Sequence, residues 1–466
     1  MKSVALHNLG CKVNAYELER IGQKLQEKGY QIIPFDGIAD IYIVNTCTVT
    51  NIADRKSRQM LHRAKHRNPE AIVVALGCYV QTGGEKALED EGIDLAIGNN
   101  RKKDLIPILE AFLEQREKEK AESKTMHQTS VTDIGKETEY EELMEEETSV
   151  NWPHTRAYLK IQDGCNQFCS YCIIPFARGR VRSRKPESVL LEAKKLAEAG
   201  YQEVVLTGIH LSSYGLDFVS RSDGDYLEGG QDLKKTAMER EYLLNVIREI
   251  AAVEGIRRIR LGSLEPRIIT RRFTEGLAAL PKVCPHFHLS LQSGCDETLK
   301  RMNRHYTTEE YYEKVSLLRE VYANPAITTD VIVGFPGETE AEFAQTEAFL
   351  KRTNFFEMHV FKYSARKGTV AAAMKEQIPE SVKSERSAKL LGLEKEQSRN
   401  YRASYIGKEL SILTEETFEQ DGRLFRLGHT DTYVKAAVPA EGTYKNQWIT
   451  ARAEAFLTDE ILLLSV

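Results

Sequence analysis

The sequence lacks any run of about 18 consecutive apolar residues, the length that a membrane-spanning helix requires. Residues Met1 to Gly10 also lack the charged start and long apolar core of a secretory signal. We therefore expect a cytoplasmic protein with no membrane partner. An excess of positive charge is missing too, because the formal net charge is −5. Any nucleic-acid binding must then depend on local basic patches rather than on bulk charge.

A disulfide framework is not expected either, although the chain has eight cysteines, because thiols stay reduced in the cytoplasm. The cysteines are instead candidates for metal ligands, redox groups or small buried side chains. They fall into a compact trio, a dispersed trio and two that stand apart: Cys165, Cys169 and Cys172; Cys11, Cys47 and Cys78; Cys284 and Cys295.

The first block, residues 1–115, is predicted to be an open α/β domain with a mainly parallel sheet. Apolar runs at 4–6, 41–44 and 72–76 read as strands, and helical patterns separate them. A cysteine of the dispersed trio follows each of these strands. Ligands bind at the carboxyl edge of such sheets, so this edge is a candidate binding site.

A chain of 466 residues is expected to contain about three domains. The part that follows the first block divides into three segments. Residues 116–150 are predicted to be an acidic linker, since seven of the eleven residues from Glu137 to Glu147 are acidic. Residues 151–399 repeat a strand–helix rhythm with six strands, which predicts a partial (β/α)6 barrel with a surface insertion at about 217–239. Residues 401–466 show short alternating strands with turns at Asp421-Gly422 and Glu441-Gly442, typical of a small all-β barrel. The predicted barrel strands are 157–161, 203–207, 256–261, 286–291, 329–333 and 357–363.

The compact trio has the spacing Cys-x3-Cys-x2-Cys and follows the first predicted barrel strand. Short loops between thiolates suit a cubane cluster, in which each corner iron is held by one sulfur. Three thiolates leave one of the four irons open for an exogenous ligand. A closed structural zinc site would need a fourth ligand, and the nearby sequence offers no further cysteine or histidine.

The segment Gly164-Cys165-Asn166-Gln167-Phe168-Cys169-Ser170-Tyr171-Cys172 resembles the signature of the radical S-adenosylmethionine superfamily. The resemblance implies that Cys165, Cys169 and Cys172 hold a catalytic [4Fe–4S] cluster. It also implies that the open iron binds the methionine moiety of S-adenosylmethionine, which is cleaved to a 5′-deoxyadenosyl radical. A partial barrel is the fold that this superfamily implies.

The order of the blocks resembles the methylthiotransferase family within that superfamily. In this resemblance Cys11, Cys47 and Cys78 bind a second [4Fe–4S] cluster, and the C-terminal block is a TRAM-like RNA-binding domain. Three stretches resemble the MtaB-like branch most: Leu6-His7-Asn8-Leu9-Gly10-Cys11, Ile173-Ile174-Pro175-Phe176-Ala177-Arg178-Gly179 and Leu206-Thr207-Gly208-Ile209-His210. Three cysteines buried in an α/β core are the alternative interpretation of the dispersed trio.

The MtaB-like branch implies a reaction on tRNA. Its members add a methylthio group to C2 of N6-threonylcarbamoyladenosine beside the anticodon. One S-adenosylmethionine supplies the methyl group and another supplies the radical. The anticodon stem-loop of tRNA, an electron donor such as flavodoxin or ferredoxin, and an unidentified sulfur donor are the implied partners.

Residues at the ends of later barrel strands are candidates for binding S-adenosylmethionine. The resemblance places Thr207 and Gly208 near its methionine part. Gln292 and Ser293 could hydrogen-bond ribose, and Gly334 would let the backbone approach adenine. Glu265 ends the third strand, where it could instead be a surface carboxylate, and the Gly334-Phe335-Pro336-Gly337 segment could be only a tight turn.

Two clusters of cations could contact tRNA phosphates. The first lies just past the cysteine loop and consists of Arg178, Arg180, Arg182, Arg184 and Lys185. The second consists of Arg257, Arg258, Arg260, Arg267, Arg271 and Arg272. A solvated surface is the alternative for each. Residues 401–466 carry seven Lys/Arg against ten Asp/Glu, so that block would have to use a local basic face, and Phe425 is expected in its core.

Other functions are also compatible with parts of this pattern. A MiaB-like relative would act on isopentenyladenosine in tRNA, and a RimO-like relative would act on an aspartate of a ribosomal protein. A non-enzymatic iron–sulfur scaffold would explain the cysteines but not the strand-end glycines of the barrel. Such a scaffold would not cleave S-adenosylmethionine when reduced.

Overall fold

The computed structural model describes residues 2–90, 92–120, 127–144, 155–222, 241–440 and 446–465. The predicted turn at Glu441-Gly442, most of the predicted insertion and part of the predicted acidic linker lie outside these residues. In the part of the chain that is described, no helix is both long and apolar enough to cross a bilayer.

The N-terminal unit is a six-stranded parallel sheet with the strand order β2-β1-β3-β4-β5-β6. Every residue of β3 and β4 is buried, because helices cover both faces of the sheet. The strands are β1 (Ser3–Asn8), β2 (Gln31–Ile33), β3 (Ile41–Thr46), β4 (Ile72–Gly77), β5 (Leu95–Ile97) and β6 (Gln128–Ser130). The helices are α1 (Lys12–Glu27), α2 (Asn51–Arg67), α3 (Cys78–Gly83) and α4 (Leu105–Lys120), with 3-10 helices at Gly84–Glu89 and Lys102–Asp104.

The three strands predicted in this unit are confirmed, whereas the segment 116–150 is not only a linker. Strand β6 lies inside that segment and pairs in parallel with β5. Its three residues, Gln-Thr-Ser, carry no apolar pattern, so the sequence shows little sign of this edge strand.

The central unit contains six parallel strands in two three-stranded sheets, β11-β10-β7 and β12-β13-β14. Isolated bridges at Ile259–Val283 and Leu264–Leu289 join the two sheets, so that the six strands form a partial barrel open between β7 and β14. The strands are β7 (Arg156–Lys160), β8 (Gln162–Asp163), β9 (Arg182–Ser183), β10 (Glu203–Thr207), β11 (Arg258–Leu261), β12 (His286–His288), β13 (Ala326–Val333) and β14 (Glu357–Lys362). All six predicted barrel strands are present, and β8 and β9 form an additional antiparallel pair.

Helices follow the barrel strands and bury the apolar outer face of the sheets. Local sequence fixes where several of them begin: Thr307 and Glu310, and likewise Thr339 and Glu342, form capping boxes. The helices are α5 (Ile174–Arg178), α6 (Pro186–Glu198), α7 (Leu216–Ser222), α8 (Tyr242–Ala251), α9 (Arg271–Ala278), α10 (Asp296–Arg301), α11 (Thr308–Val321), α12 (Glu340–Thr353) and α13 (Glu380–Ala403), with 3-10 helices at Leu211–Ser213, Pro266–Ile268 and Ala371–Ala373.

The C-terminal unit is a closed five-stranded barrel with the order β15-β16-β17-β19-β18. Asp421 and Gly422 both have positive φ, 51° and 73°, and connect β15 to β16 as the tight turn that the sequence predicts. Phe425 is buried in the barrel core, also as predicted. The strands are β15 (Glu409–Gln420), β16 (Arg423–His429), β17 (Lys435–Pro439), β18 (Trp448–Thr458) and β19 (Ile461–Ser465).

The small barrel docks on the amino ends of β7, β10 and β11 through arginines. Arg258 donates to the carbonyls of His429 and Ser411 at 2.8 and 2.7 Å, and Arg260 donates to that of Asp431 at 2.9 Å. Both arginines are buried. They bind the small barrel rather than present themselves to phosphate, which corrects the predicted phosphate contact for these two residues.

Glu203 balances the charge of this junction. Its carboxylate accepts a 2.6 Å hydrogen bond from Arg260 Nε, and Arg258 and Arg156 lie at 3.8 and 3.9 Å. We expect Glu203→Gln to lower the free energy of unfolding by about 3–5 kcal/mol, because breaking a buried pair leaves an uncompensated charge. Chemical denaturation measures this, and limited proteolysis should release the small barrel earlier. The matched control Glu254→Gln, at an exposed site, should change neither result.

Candidate active site

The compact cysteine trio lies in the loop 164–181, which the β8–β9 pair closes at its base. Gly164 has φ 70°, and a Cβ there would lie 1.8 Å from the carbonyl oxygen of Arg180, so only glycine fits. The Cys165 amide donates to Gly179 O at 3.0 Å, and the Cys172 amide donates to Cys169 O at 2.9 Å. The backbone therefore holds the three cysteines together on one short, internally bonded loop.

The sulfur atoms of this loop have donors directed at them. Arg304 Nη1 lies 3.3 Å from Cys169 Sγ, and the Gln167 amide lies 3.5 Å from Cys165 Sγ. Burial first, and then the neighbouring Cys169, raise the pKa of Cys172 to about 12. Such a thiol loses its proton when a metal takes the sulfur, and the arginine then offsets thiolate charge. Three clustered sulfurs with a cationic donor fit an iron–sulfur cluster.

The dispersed trio is gathered at the carboxyl edge of three adjacent strands, as predicted. Cys11 precedes α1, Cys47 follows β3, and Cys78 is the first residue of α3. A Cβ on Gly10, which has φ 111°, would lie 3.1 Å from Cys47 Sγ. Burial, then Cys78 and Cys11, raise the pKa of Cys47 to about 11. The three thiols therefore interact with one another, and this donor set too fits a cluster.

A buried ionic network joins the two trios. Arg178, which follows the compact trio, donates to Glu17 on α1 at 2.8 Å and to Asp163 at 3.1 Å. Lys160 binds the same two carboxylates at 2.8 and 2.6 Å. Lys102 also pairs with Glu17. Arg182 lies 4.0 Å from Asp163, and the buried Glu141 interacts electrostatically with Lys160 and Lys102. Four cations thus face three carboxylates, which leaves positive charge in excess between the trios.

Direct contacts extend this network to the sulfurs. Asn14 is hydrogen-bonded to Arg178, and Cys11 Sγ lies 3.7 Å from Asn14 Oδ1. Asn99 Nδ2 lies 3.5 Å from Cys78 Sγ and donates to Ala177 O, in the loop of the compact trio, at 2.7 Å. Burial lowers the pKa of Arg178, but Glu17, Asp163 and the neighbouring Cys78 outweigh it and raise that pKa well above its usual value. The surplus positive charge is therefore placed where two thiolate-bound clusters would carry negative charge.

Burial corrects the predicted RNA-binding cluster. Arg178, Arg182 and Arg184 are at most 1% exposed, and Arg184 pairs with Glu192 and with Glu142. Only Arg180 and Lys185 are exposed. A guanidinium enclosed by carboxylates does not present itself to phosphate, so the phosphate-contact prediction is retained only for Arg180 and Lys185.

The residues predicted to bind S-adenosylmethionine lie at the carboxyl ends of the barrel strands. Some of their side chains are already paired with other side chains of the protein. Ser293 is buried and its hydroxyl contacts Thr346 Oγ1 on α12 at 3.2 Å. Glu265 is paired with Arg267 at 2.6 Å. A Cβ on Gly334 would lie 2.3 Å from Lys383 Cγ, so this glycine also permits the packing of α13.

Gln292 is the most available of the predicted residues. Its φ is 74°, a strained conformation for a residue other than glycine, and its backbone pairs with β13 through Asp330 O at 2.8 Å. Among the described residues its side-chain amide has no hydrogen-bond partner. Thr207 ends β10, and a Cβ on the adjacent Gly208 would lie 2.9 Å from Gln162 Oε1. Binding of S-adenosylmethionine by these residues stays a prediction.

Comparisons with known proteins agree with this architecture. Residues 159–350 match the radical SAM superfamily and residues 3–98 match the uncharacterized protein family UPF0004. The structure of the radical S-adenosylmethionine methyltransferase TsrM from Kitasatospora setae aligns with a TM-score of 0.51 over 80% of this chain and 77% of that chain. At 15% identity this likeness shows the fold alone. The fold and the loop trio thus define a protein of the radical S-adenosylmethionine superfamily.

Curated relatives show to which family within the superfamily the chain belongs. The threonylcarbamoyladenosine tRNA methylthiotransferase MtaB of Bacillus subtilis is 41% identical over 437 residues, covering 93% of this chain and 90% of the relative. The protein of that name from Aquifex aeolicus is 39% identical, covering 89% and 93%. A tRNA-2-methylthio-N(6)-dimethylallyladenosine synthase of Methylacidiphilum infernorum is 30% identical, covering 97% and 92%. The chain belongs to the MtaB family of tRNA methylthiotransferases.

We expect the charge of Glu17 to stabilise the interface between the trios. Glu17→Gln should lower the free energy of unfolding by about 3–5 kcal/mol, because three buried cations lose their shared carboxylate. Surrounding cations outweigh burial and hold the pKa of Glu17 well below its usual range. Its contribution is therefore complete above the unfolded pKa of about 4.3 and is lost as pH falls toward the folded pKa.

Urea denaturation across a pH series measures this. The difference in free energy of unfolding between wild type and Glu17→Gln should be constant from neutral pH down to about 5 and become smaller below that. A difference that stays constant into strong acid, or no difference at neutral pH, would contradict the assigned role.

Proposed function

We propose that this protein is a tRNA methylthiotransferase that replaces the C2 hydrogen of N6-threonylcarbamoyladenosine, beside the anticodon, with a methylthio group. The observation that supports this most is the pairing of two three-cysteine sites across one buried ionic network with an excess of cations. One site suits cleavage of S-adenosylmethionine and the other suits the presentation of sulfur. The Bacillus subtilis and Aquifex aeolicus relatives, which are 41% and 39% identical, are both named threonylcarbamoyladenosine tRNA methylthiotransferase MtaB, whereas the dimethylallyladenosine synthase is 30% identical.

Cys165, Cys169 and Cys172 would hold one [4Fe–4S] cluster, and Cys11, Cys47 and Cys78 the second. When bound, the first cluster supplies the electron that cleaves S-adenosylmethionine into the radical that removes the C2 hydrogen. The protein contributes Arg304 beside Cys169 and the surplus cations beside Cys11 and Cys78, which offset thiolate charge. The residues proposed to surround S-adenosylmethionine at the strand ends are Thr207, Gly208, Glu265, Gln292, Ser293 and Gly334.

The remaining partners belong to the same proposal. The C-terminal barrel is taken as a TRAM-like RNA-binding domain, which agrees with its closed five-stranded form. A flavodoxin or ferredoxin would deliver electrons, an unidentified donor would replenish sulfur, and the enzyme would work in the cytoplasm on the anticodon stem-loop. The units would span 1–115, 151–399 and 401–466, with β6 of the intervening segment added to the first.

If each cysteine trio holds its own cluster, either cluster can be lost without the other. Replacing either trio by alanine should remove about four iron ions per chain from anaerobically reconstituted protein and leave the other cluster in place. Cys284→Ala, outside both trios, should keep the full iron content. Loss of all iron from either single-trio variant would contradict two separately held clusters.

The substrate assignment is tested in cells that lack the gene. Mass spectrometry of tRNA nucleosides should show loss of 2-methylthio-N6-threonylcarbamoyladenosine and accumulation of its unthiolated precursor. The wild-type gene should restore the modification, and either trio variant should not. An unchanged nucleoside profile would refute the substrate and favour a MiaB-like or RimO-like reaction.

The two exposed cations that follow the compact trio in sequence are predicted to contact phosphates. They are Arg180, whose guanidinium lies 4.4 Å from the Phe168 ring centre, and Lys185, which precedes α6. Arg180→Gln and Lys185→Gln should each weaken tRNA binding by the same factor whatever the tRNA sequence. Each should also reduce the slope of log binding constant against log salt concentration by about 1. Glu254→Gln serves as the control. Unaltered salt dependence would show that tRNA does not reach this loop.

A further inference from the structure

Helix α2 is strongly basic in a chain whose formal net charge is −5. It carries six Lys or Arg residues and one acidic residue. Three of the cations, in the second half of the helix, are paired with carboxylates of the same unit. Lys65 lies 2.9 Å from Asp94, and Arg63 and Arg67 lie 2.8 and 3.2 Å from Asp36. The protein itself therefore accounts for half of the charge of α2.

The other three cations lie in the first two turns of α2 and are exposed: Arg55, Lys56 and Arg58. Among the residues that the structure describes, no carboxylate lies within 4.0 Å of any of them. The one acidic residue of the helix, Asp54, accepts a 2.6 Å hydrogen bond from the buried Arg366 and is not available to them. Arg55, Lys56 and Arg58 together form the α2 basic face.

The α2 basic face lies beside one cysteine of the dispersed trio. Ser57, between Lys56 and Arg58 in sequence, is buried. Its hydroxyl donates to Cys47 O at 3.1 Å and accepts from the Cys47 amide at 3.2 Å. The inner side of this turn therefore packs on the cysteine loop, while its outer side carries the three cations.

A loop of the central unit holds the start of α2 from the other side. Arg366, in the loop after β14, donates to Thr48 Oγ1 at 2.7 Å, and the Asn51 amide donates to Ser364 Oγ at 3.1 Å. This loop follows the carboxyl end of the last barrel strand, the end at which barrel enzymes bind substrate. The exposed Lys367 follows Arg366 directly. The α2 basic face therefore lies at the substrate end of the barrel.

A series of contacts leads from α2 to the loop of the compact trio. Thr48 Oγ1 lies 3.5 Å from Thr82 Oγ1 on α3, and α3 packs against α5. On α5 the side chain of Phe176 is 51% exposed, and its ring makes an edge contact with Phe168 at 6.1 Å. Phe168 in turn lies 4.4 Å from the Arg180 guanidinium. Along this series an exposed aromatic ring stands between two groups of exposed cations.

This combination of side chains fits RNA better than it fits an acidic protein. Cations pair with phosphates, and an exposed aromatic ring stacks on an unpaired base of a loop. The carboxylates of an acidic electron donor would match the cations but not the exposed ring. The nucleotide to be modified must also enter at this end of the barrel.

We propose that the α2 basic face binds backbone phosphates of the tRNA anticodon stem-loop and that Phe176 stacks on one of its unpaired bases. The inference rests on the proposed function and adds a surface of the N-terminal unit to the contacts predicted for Arg180 and Lys185. Phosphate contacts position a nucleic acid without reading its sequence. The α2 basic face would thus orient the stem-loop while one adenosine enters the barrel.

The test measures how tightly an anticodon stem-loop RNA with threonylcarbamoyladenosine binds full-length, anaerobically reconstituted protein at several salt concentrations. The triple variant Arg55→Gln/Lys56→Gln/Arg58→Gln should bind at least about tenfold more weakly at low salt. The slope of log binding constant against log salt concentration should fall by about 3, because each lost phosphate contact removes about 1.

The aromatic contact has a different signature. Phe176→Leu keeps an apolar side chain but removes the ring, and it should weaken binding by roughly tenfold, within the range measured for base–aromatic stacking. The salt slope should stay at the wild-type value, because no phosphate contact is lost. Wild-type affinity in Phe176→Leu would overturn the stacking role.

The matched control removes the same net charge elsewhere, in the variant Lys28→Gln/Lys118→Gln/Lys194→Gln. These three exposed lysines lie at or near the carboxyl ends of α1, α4 and α6, which lead back to the amino ends of the strands. Affinity and salt slope should equal those of wild type. Equal losses in both triple variants would overturn the inference, because net charge rather than the α2 basic face would then be responsible.

Further measurements separate this inference from the proposed function. Iron content shows whether the α2 variant keeps both clusters; if it does not, wild type decides, because bound RNA should slow acetylation of Lys56 but not of Lys118. Equal acetylation of Lys56 with and without RNA, or an unchanged salt slope in the α2 variant, would overturn the inference.

Slower reduction of the clusters by flavodoxin, with unchanged RNA binding, would assign the α2 basic face to the electron donor and would also overturn the inference. Absence of methylthiolation by wild type that binds the RNA would instead refute the proposed function.

Discussion

The buried pairing of Glu17 with Arg178, Lys160 and Lys102 is the interaction on which the arrangement of the site depends. Glu17 comes from the N-terminal sheet unit, whereas Arg178 and Lys160 come from the central barrel. Charges removed from water must find partners, and here the partners belong to different units of the chain. The network therefore fixes how one cysteine trio faces the other.

The excess of cations in this network gives it a second consequence. With Arg182 and Glu141 included, three carboxylates do not neutralise four cations, so the interface retains positive charge beside Cys11 and Cys78. Thiolate-bound clusters are anionic and would complete the balance. At the other end of the barrel the arginines around Glu203 instead donate hydrogen bonds to backbone carbonyls of the small barrel. The protein itself therefore supplies the partners of the charges at that junction, whereas the excess charge between the trios suits bound clusters.

Local pattern was enough to predict the six strands of the central barrel, the three strands that precede the dispersed cysteines and the trio at Cys165, because each depends on residues close together in sequence. The gathering of Cys11, Cys47 and Cys78 was also predictable, since carboxyl ends of parallel strands share an edge. The burial of Arg178 and Arg184 was not, because their partners Glu17 and Glu192 lie on other elements and a run of cations ordinarily indicates a solvated surface.

Other parts of the site also lie beyond sequence pattern. Arg304 follows α10 with no local sign that it reaches Cys169. Asn14, three residues after Cys11, could have been found, because that spacing places both on one face of a helix start.

Electron paramagnetic resonance of the reduced, fully reconstituted protein tests the central claim most directly, because two paramagnetic clusters held across one buried network should interact magnetically. The account predicts a spectrum broadened by spin–spin coupling that differs from the sum of the two single-trio variants. A spectrum equal to that sum would show that the clusters are held apart and would contradict the interface described by Glu17 and Arg178.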